Sequence, residues 1–187
     1  MKTAIYLASR SPRRKALLQQ LNVTFTTIDG EINERRMAGE LPAEFVVRLA
    51  NEKAQRGWHN SDQSRWVLGA DTIVVCEQEI FGKPKGEQDF LHMMQSLSGR
   101  THQVMTAVAI CHGEQLHHEL VISDVEFATL STSQMQAYWQ TGEPADKAGG
   151  YGIQGLAGAF VKSINGSYSA IVGLPLYQTS ELLKKIG

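Results

Sequence analysis

The stretch Ile5-Tyr6-Leu7-Ala8-Ser9-Arg10-Ser11-Pro12-Arg13-Arg14 places an apolar, strand-like run directly before a helix start. Ser11 is a favoured N-cap, because its hydroxyl can take an amide hydrogen of the first turn, and Pro12 suits the first helical position. That helix runs to about Leu21. The rest of the chain keeps alternating strand-like and helix-like segments, which is the pattern of an α/β protein. After Pro42, the residues Phe45, Val46, Leu49, Ala50 and Ala54 fall on one helical face. Trp66 to Cys76 reads as a strand, turned around Gln78 into a second strand that ends near Lys83-Pro84. Phe90, Met93, Met94 and Leu97 mark a third helix stopped by Gly99. Val104 to Cys111 and Leu120 to Phe127 are two more strands, joined around Gly113, and Ser131 with Gln134 fits the capping box of a helix ending before Gly142. Phe160 to Ile164 and Tyr168 to Val172 flank Asn165-Gly166, a pair suited to a tight hairpin turn, and Leu176 to Ile186 closes the chain as a helix. The expected fold is α/β, a mixed twisted sheet flanked by helices, with residues 1–187 forming a single domain.

Composition narrows the function. The chain of 187 residues is 42% hydrophobic and 20% charged, which is ordinary for a globular protein, and no apolar stretch is long enough to cross a bilayer. Arg10, Arg13 and Arg14 interrupt the first apolar run before it reaches the length of a signal peptide. Cys76 and Cys111 each end a strand-like run without metal-ligand spacing, so they read as core thiols of a cytoplasmic protein. A net charge of -1 argues against broad nucleic-acid binding but leaves room for a small anion.

Four places carry possible chemistry. Arg13 and Arg14 sit in the first turn of a helix, where the helix dipole disfavours cations unless an anion is bound. A polyphosphate would supply that anion, cradled by amide groups and by planar guanidinium donors. The arginines could equally point to solvent. Asp71 interrupts Trp66-Val67-Leu68-Gly69-Ala70-Asp71-Thr72-Ile73-Val74-Val75, and a buried carboxylate needs a cation, hydrogen bonds or a wet cleft. With the hairpin centred on Gln78, Ile73 lies opposite Lys83 and Asp71 becomes a diagonal neighbour of Lys83, either as a site or as a structural ion pair. Lys53 lies at the edge of an apolar helical stripe, where a snorkelling side chain is the plainer reading. Glu34 occupies the polar segment Glu31-Ile32-Asn33-Glu34-Arg35-Arg36, where surface carboxylates are common. In Lys147-Ala148-Gly149-Gly150-Tyr151-Gly152-Ile153-Gln154-Gly155-Leu156-Ala157-Gly158, glycines allow close backbone approach to a ligand. Tyr151 could stack on a base there and Gln154 could read a pyrimidine edge, or the segment could be a flexible loop. The six histidines lack the spacing of a zinc site. Ser9 has no nucleophile elbow around it and suits hydrogen bonding to phosphate better than covalent catalysis.

Together these segments resemble the Maf family over almost the whole chain. The resemblance is carried by Leu7 to Arg14, Ala50-Asn51-Glu52-Lys53-Ala54, Gly69-Ala70-Asp71-Thr72, Gly82-Lys83-Pro84, Lys147 to Gly155, Asn165-Gly166-Ser167-Tyr168 and Val172-Gly173-Leu174-Pro175. It implies a nucleoside triphosphate pyrophosphatase with an inosine-triphosphatase-like fold, a cleft between two lobes, and assembly as a homodimer. Asp71 would be the proton acceptor for water attacking the α-phosphate, assisted by a divalent cation, Mg2+ or Mn2+. Ser9, Arg13, Arg14, Lys53 and Lys83 would surround the triphosphate, and Glu34 would join Asp71 near the metal. Arg13, Thr72 and Gln154 look like the subgroup acting on dTTP and UTP, with CTP or modified pyrimidine nucleotides as further substrates. A 7-methyl-GTP-type enzyme and a nucleotide-binding regulator of septum formation are the alternatives.

Overall fold

The computed structural model of the protein describes residues 4–186. Its opening stretch forms strand β1 (Ala4–Leu7) and helix α1 (Pro12–Gln20), with Ser11 as the N-cap accepting from the Arg14 amide at 3.4 Å. Next come β2 (Thr24–Thr27), α2 (Pro42–Asn60), β3 (Val67–Cys76), β4 (Glu79–Phe81), α3 (Glu87–Leu97), β5 (Thr101–His112) and β6 (Gln115–Phe127). Then follow α4 (Thr132–Gln140), three short 3-10 turns (Glu143–Asp146, Ala148–Gly150, Leu156–Phe160), β7 (Val161–Asn165), α5 (Tyr168–Val172) and α6 (Leu176–Lys184). The seven-stranded sheet has the order β2-β1-β3-β5-β6-β7, with β4 added to β3. It is mixed: β1 pairs parallel with β2 and β3, whereas the β3–β4 and β6–β7 pairs are antiparallel.

The chain divides into two compact units, and β3, β5 and β6 each give residues to both. The first unit holds the described residues up to Asp71, Thr106–Val121, and the described residues from Gly173 onward. Its core combines Ile5 and Leu7 of β1, Leu17 and Leu18 of α1, Val67 and Leu68 of β3 and the stripe Phe45, Val46, Leu49, Ala50 and Ala54 of α2, all buried as their spacing predicts. Small residues let α2 lie almost directly on the strands. A Cβ added at Gly69 would stand 2.5 Å from the Ala54 nitrogen and 2.7 Å from the Ala50 oxygen, and one at Gly57 would stand 2.7 Å from the Ala8 Cβ. Strand β2, absent from the sequence reading, is mostly exposed and reads Thr-Phe-Thr-Thr, too polar and too short to give a periodic apolar signal.

The second unit holds Thr72–Met105 and Ile122–Val172. Phe90, Met93, Met94 and Leu97 of α3 pack with Val74, Phe81, Val104, Val125 and Phe127. Both cysteines, Cys111 in the first unit and Cys76 in the second, are free and buried, in line with core thiols. Two expectations need correction. The hairpin is closed by the two residues Glu77 and Gln78, both at positive φ, so Val74 pairs with Phe81 and Cys76 with Glu79. This moves the register by one residue from the expected pairing of Ile73 with Lys83, and β4 ends at Phe81, so Lys83 lies beyond the ladder. Asn165-Gly166 does not close a hairpin either. Gly166 brings the chain so near Ser123 that a Cβ would stand 2.6 Å from its Oγ, and the Ser167 amide donates to that Oγ at 3.0 Å. The Ser167 hydroxyl then accepts from the Ala170 amide at 3.3 Å, which starts a helix at Tyr168 instead of a strand.

His102 is fully enclosed in the second unit, with Nε2 at 2.7 Å from the Tyr151 hydroxyl and its ring against Phe127. Nδ1 has no hydrogen-bond partner among the described residues, and burial pushes the imidazole pKa from 6.5 down to about 4.

Two outcomes follow from this packing. Gly69→Ala forces a methyl group onto the α2 backbone and should cost about 1–3 kcal/mol of stability, read from the urea midpoint. Below pH 6.5 the unfolded His102 binds a proton that the folded one refuses until about pH 4. Its stability contribution is therefore complete above pH 6.5 and fades as pH falls, by about 3 kcal/mol in all at roughly 1.4 kcal/mol per unit. Urea titrations between pH 7 and pH 4 should show this loss in the wild type and a flatter profile in His102→Gln.

Candidate active site

Lys53 projects from α2 toward β3, which α2 approaches closely because of Gly69. Only 9% of Lys53 and 7% of Asp71 is exposed. The Lys53 Nζ donates to Asp71 Oδ1 at 2.5 Å and lies 2.6 Å from Glu34 Oε1. Lys53 is thus not a snorkelling surface residue, and the cation paired with Asp71 is Lys53, not the Lys83 of the expected register. Two carboxylates from separate segments converge on one buried ammonium, Asp71 buried with it and Glu34 half-exposed.

The loop carrying Glu34 is tied to the same helix that carries Lys53. From α2, Arg48 grips Glu40 with two parallel bonds, Nε to Oε1 at 2.6 Å and Nη2 to Oε2 at 2.9 Å. Nη2 also reaches the Arg35 carbonyl at 3.1 Å, and Nη1 reaches Glu52 at 3.0 Å. The Arg48 hydrogen bond holds the Glu40 carboxyl at a pKa of about 2, well below its usual range. Sequence reasoning missed this brace. The spacing of Arg48 and Glu52 was visible as a helical i, i+4 pair, but Glu40 joins it only through the course of the loop.

Burial pushes the Asp71 pKa up, against the opposing charges of Lys53 and Arg14, while the negative charge of Glu34 adds to the rise. Burial likewise lowers that of Arg14, opposed by Asp71, with Arg13 adding to the drop and Glu34 opposing it. Arg14 is fixed by its Nε, which donates to the Gly173 carbonyl at 2.9 Å. Arg13, on the same first turn of α1, is half-buried. Ser9 is buried just before the helix and its Oγ accepts from the Ser11 amide at 3.2 Å. Arg10 turns outward to Asp29 at 3.1 Å and Glu31 at 3.4 Å.

Ser9, Arg13, Arg14, Glu34, Lys53 and Asp71 all belong to the first unit, and Thr72, Lys83 and Gln154 to the second. Thr72 follows Asp71 on β3, Lys83 lies just past β4, and Gln154 is exposed in the glycine-rich segment. That segment is ordered by turns, with the Gly150, Gly155 and Gly158 amides each donating at 3.0 Å to the carbonyl three residues earlier. Gly149, at φ 68°, brings it against Val74, where a Cβ would stand 2.8 Å from Cγ2. Tyr151 does not offer a stacking surface. It is buried against the rings of Phe127 and His102, with its hydroxyl 2.7 Å from His102 Nε2.

The chain is similar to known proteins along almost its whole length. A family model described as Maf-like protein matches residues 4–186. A dTTP/UTP pyrophosphatase of Pseudoalteromonas atlantica is 52% identical over 185 residues, covering 97% of this chain and 96% of that protein. One of Shigella sonnei is also 52% identical, covering 97% of this chain and 92% of its own length. Among solved structures, a HAM1 protein from Coxiella burnetii aligns over 98% of this chain and 99% of its own with a TM-score of 0.52 and 13% identity, a likeness of fold.

Removing Lys53 should expose what it compensates. Lys53→Met leaves the Asp71 carboxylate buried without its ammonium, and breaking such a pair costs roughly 3–5 kcal/mol. The sign is set by the raised Asp71 pKa. Loss of Lys53 raises the Asp71 pKa further, and the cost shrinks as pH falls through that value in the variant, because the neutral acid no longer needs a cation. Urea unfolding of Lys53→Met beside wild type over a descending pH series checks this, with the deficit expected to be largest at the highest pH and to narrow as pH falls.

Proposed function

This chain belongs to the Maf family, and we propose that it hydrolyses dTTP and UTP to the monophosphate and pyrophosphate. The observation that carries the chemistry is the buried Asp71 carboxylate, held at 2.5 Å by Lys53, with a pKa that burial pushes up, as suits a proton acceptor. The substrate rests on two near-full-length relatives, at 52% identity, that are dTTP/UTP pyrophosphatases.

In this reading Asp71 takes the proton of the water that attacks the α-phosphorus. The bond from that phosphorus to the bridging oxygen breaks, and pyrophosphate leaves with the electron pair. Lys53 holds the Asp71 carboxylate in place and keeps it ionised until the proton arrives. Ser9, Arg13, Arg14 and Lys83 bind phosphate oxygens, where planar guanidinium groups and a helix N-terminus meet negative charge as it builds on the leaving group. Thr72 and Gln154 select the base, with Arg13 completing the specificity set.

A divalent cation fits the donor chemistry. Asp71 and Glu34 are hard oxygen donors brought to one ammonium, at 2.5 Å and 2.6 Å from Nζ. Among the described residues no group of three or more His, Cys, Asp or Glu forms a complete cage. Two carboxylates completed by substrate phosphates are the usual protein share of a magnesium site. When bound, Mg2+ or Mn2+ would neutralise charge on the triphosphate. The same reading treats the chain as one catalytic domain that works as a homodimer in the cytoplasm. No helix among the described residues is long and apolar enough to cross a membrane.

Pyrophosphate release is measured from dTTP, UTP, CTP, GTP and 7-methyl-GTP, with Mg2+, Mn2+ or EDTA. The expected result is metal-dependent release with the pyrimidines preferred, and a loss of about 10²–10⁴-fold in Asp71→Asn at unchanged fold. A preference for 7-methyl-GTP would overturn the substrate. Tight binding of dTTP without turnover would point to a regulator instead.

A further inference from the structure

A further carboxylate, absent from the chemistry above, organises the glycine-rich segment. Glu143 opens the 3-10 turn that follows α4. Its Oε1 accepts from the Tyr138 hydroxyl at 2.7 Å, and its Oε2 accepts from the Leu156 amide at 3.0 Å. The Tyr138 oxygen in turn accepts from the Gly152 amide at 3.2 Å. Between those two tied amides the Gly155 amide donates to the Gly152 carbonyl at 3.0 Å, closing a four-residue turn. Ile153 and Gln154 are the central residues of that turn, and Gln154 is exposed. Both ends of the turn are therefore fastened to one Tyr–Glu pair.

Space and charge support the same arrangement. A Cβ at Gly155 would stand 2.3–2.4 Å from Oε1, Oε2 and Cδ of Glu143, so the carboxylate lies where only glycine leaves room. A Cβ at Gly152 would meet the Lys147 side chain at 2.6 Å. Lys147 donates to the Glu143 carbonyl at 2.6 Å and pairs with Asp146 at 2.7 Å, which fixes the backbone from which Glu143 projects. Burial alone would raise the Glu143 pKa, but the Leu156 amide, the Tyr138 hydroxyl and Lys147 outweigh it and hold the group below its usual value. The carboxylate stays ionised, and its hydrogen bonds are of the stronger, charge-assisted kind.

We propose that Glu143 is a positioning residue that fixes the turn presenting Gln154 and thereby sets selectivity for the base. This rests on the reading of Gln154 as a base-contacting residue. An amide discriminates between base edges only when its orientation is fixed beforehand. A turn with loose ends could rotate its glutamine to suit several bases and would lose part of its affinity to ordering.

The test compares wild type, Glu143→Gln, Gln154→Ala and the double variant, using dTTP and GTP as substrates and hydrogen exchange of the Gly152 and Leu156 amides. Glu143→Gln replaces an acceptor by a donor facing a hydroxyl or an amide hydrogen. Faster exchange at both amides is expected, with KM for dTTP raised about tenfold, kcat changed far less, and the dTTP-to-GTP ratio of kcat/KM falling toward that of Gln154→Ala. The double variant should be no less selective than Gln154→Ala alone, because both changes act through one contact. Tyr138→Phe, which frees only the Gly152 end, should lower selectivity in the same direction and by less, and it serves if Glu143→Gln fails to fold. Unchanged selectivity in a folded Glu143→Gln or in Tyr138→Phe, or losses that multiply with Gln154→Ala, would overturn the proposal. A wild type without preference for dTTP, or one insensitive to Gln154→Ala, would overturn the base reading beneath it instead.

Discussion

The buried pair of Lys53 and Asp71 imposes the strongest constraint on the first unit. Taking two charges out of water costs several kcal/mol for each ion, and their attraction offsets that cost only at close range with good geometry. Lys53 comes from a helix and Asp71 from a strand, so the helix must lie unusually near the strand for the two to meet. Gly69, two residues before Asp71, with Ala50 and Ala54 opposite, removes the side chains that would keep them apart. The packing residues and the buried carboxylate thus depend on each other: any residue larger than glycine at position 69 would push away the ammonium that Asp71 requires.

Around this pair the other charges are graded. Glu34 adds negative charge to the same ammonium and, with burial, raises the proton affinity of Asp71. Arg14 acts in the opposite sense. The Arg48–Glu40 brace restrains the loop that delivers Glu34, so a half-exposed carboxylate is positioned from the same helix as the lysine it meets. In the proposed hydrolysis such placement lets charge at the reacting centre be met without waiting for side chains to reorganise.

The second unit uses glycine differently. At Gly149 and Gly155 the missing side chain lets backbone pass close to Val74 and to a carboxylate, and the outcome is an ordered segment instead of a flexible one. Tyr151, the most ligand-like residue of that segment by type, faces the core and holds His102, while the exposed position falls to Gln154.

Most of the fold was legible in the chain itself. Ser11-Pro12 marked the start of α1, Phe45 to Ala54 marked the buried face of α2, and Ser131 with Gln134 marked the cap of α4, because caps and apolar periods are local properties. The carboxylate inside an apolar strand singled out Asp71 for the same reason. Tertiary structure decided which cation answers it, since a one-residue change of turn at Glu77-Gln78 moves Lys83 out of the ladder and sequence distance says nothing of how closely α2 can approach β3. It also decided that Asn165-Gly166 leads into a helix, through a hydroxyl at Ser123 more than forty residues away. Local chemistry fixes what a segment can become, whereas partners distant in sequence, and the space that glycine leaves between them, select among the possibilities.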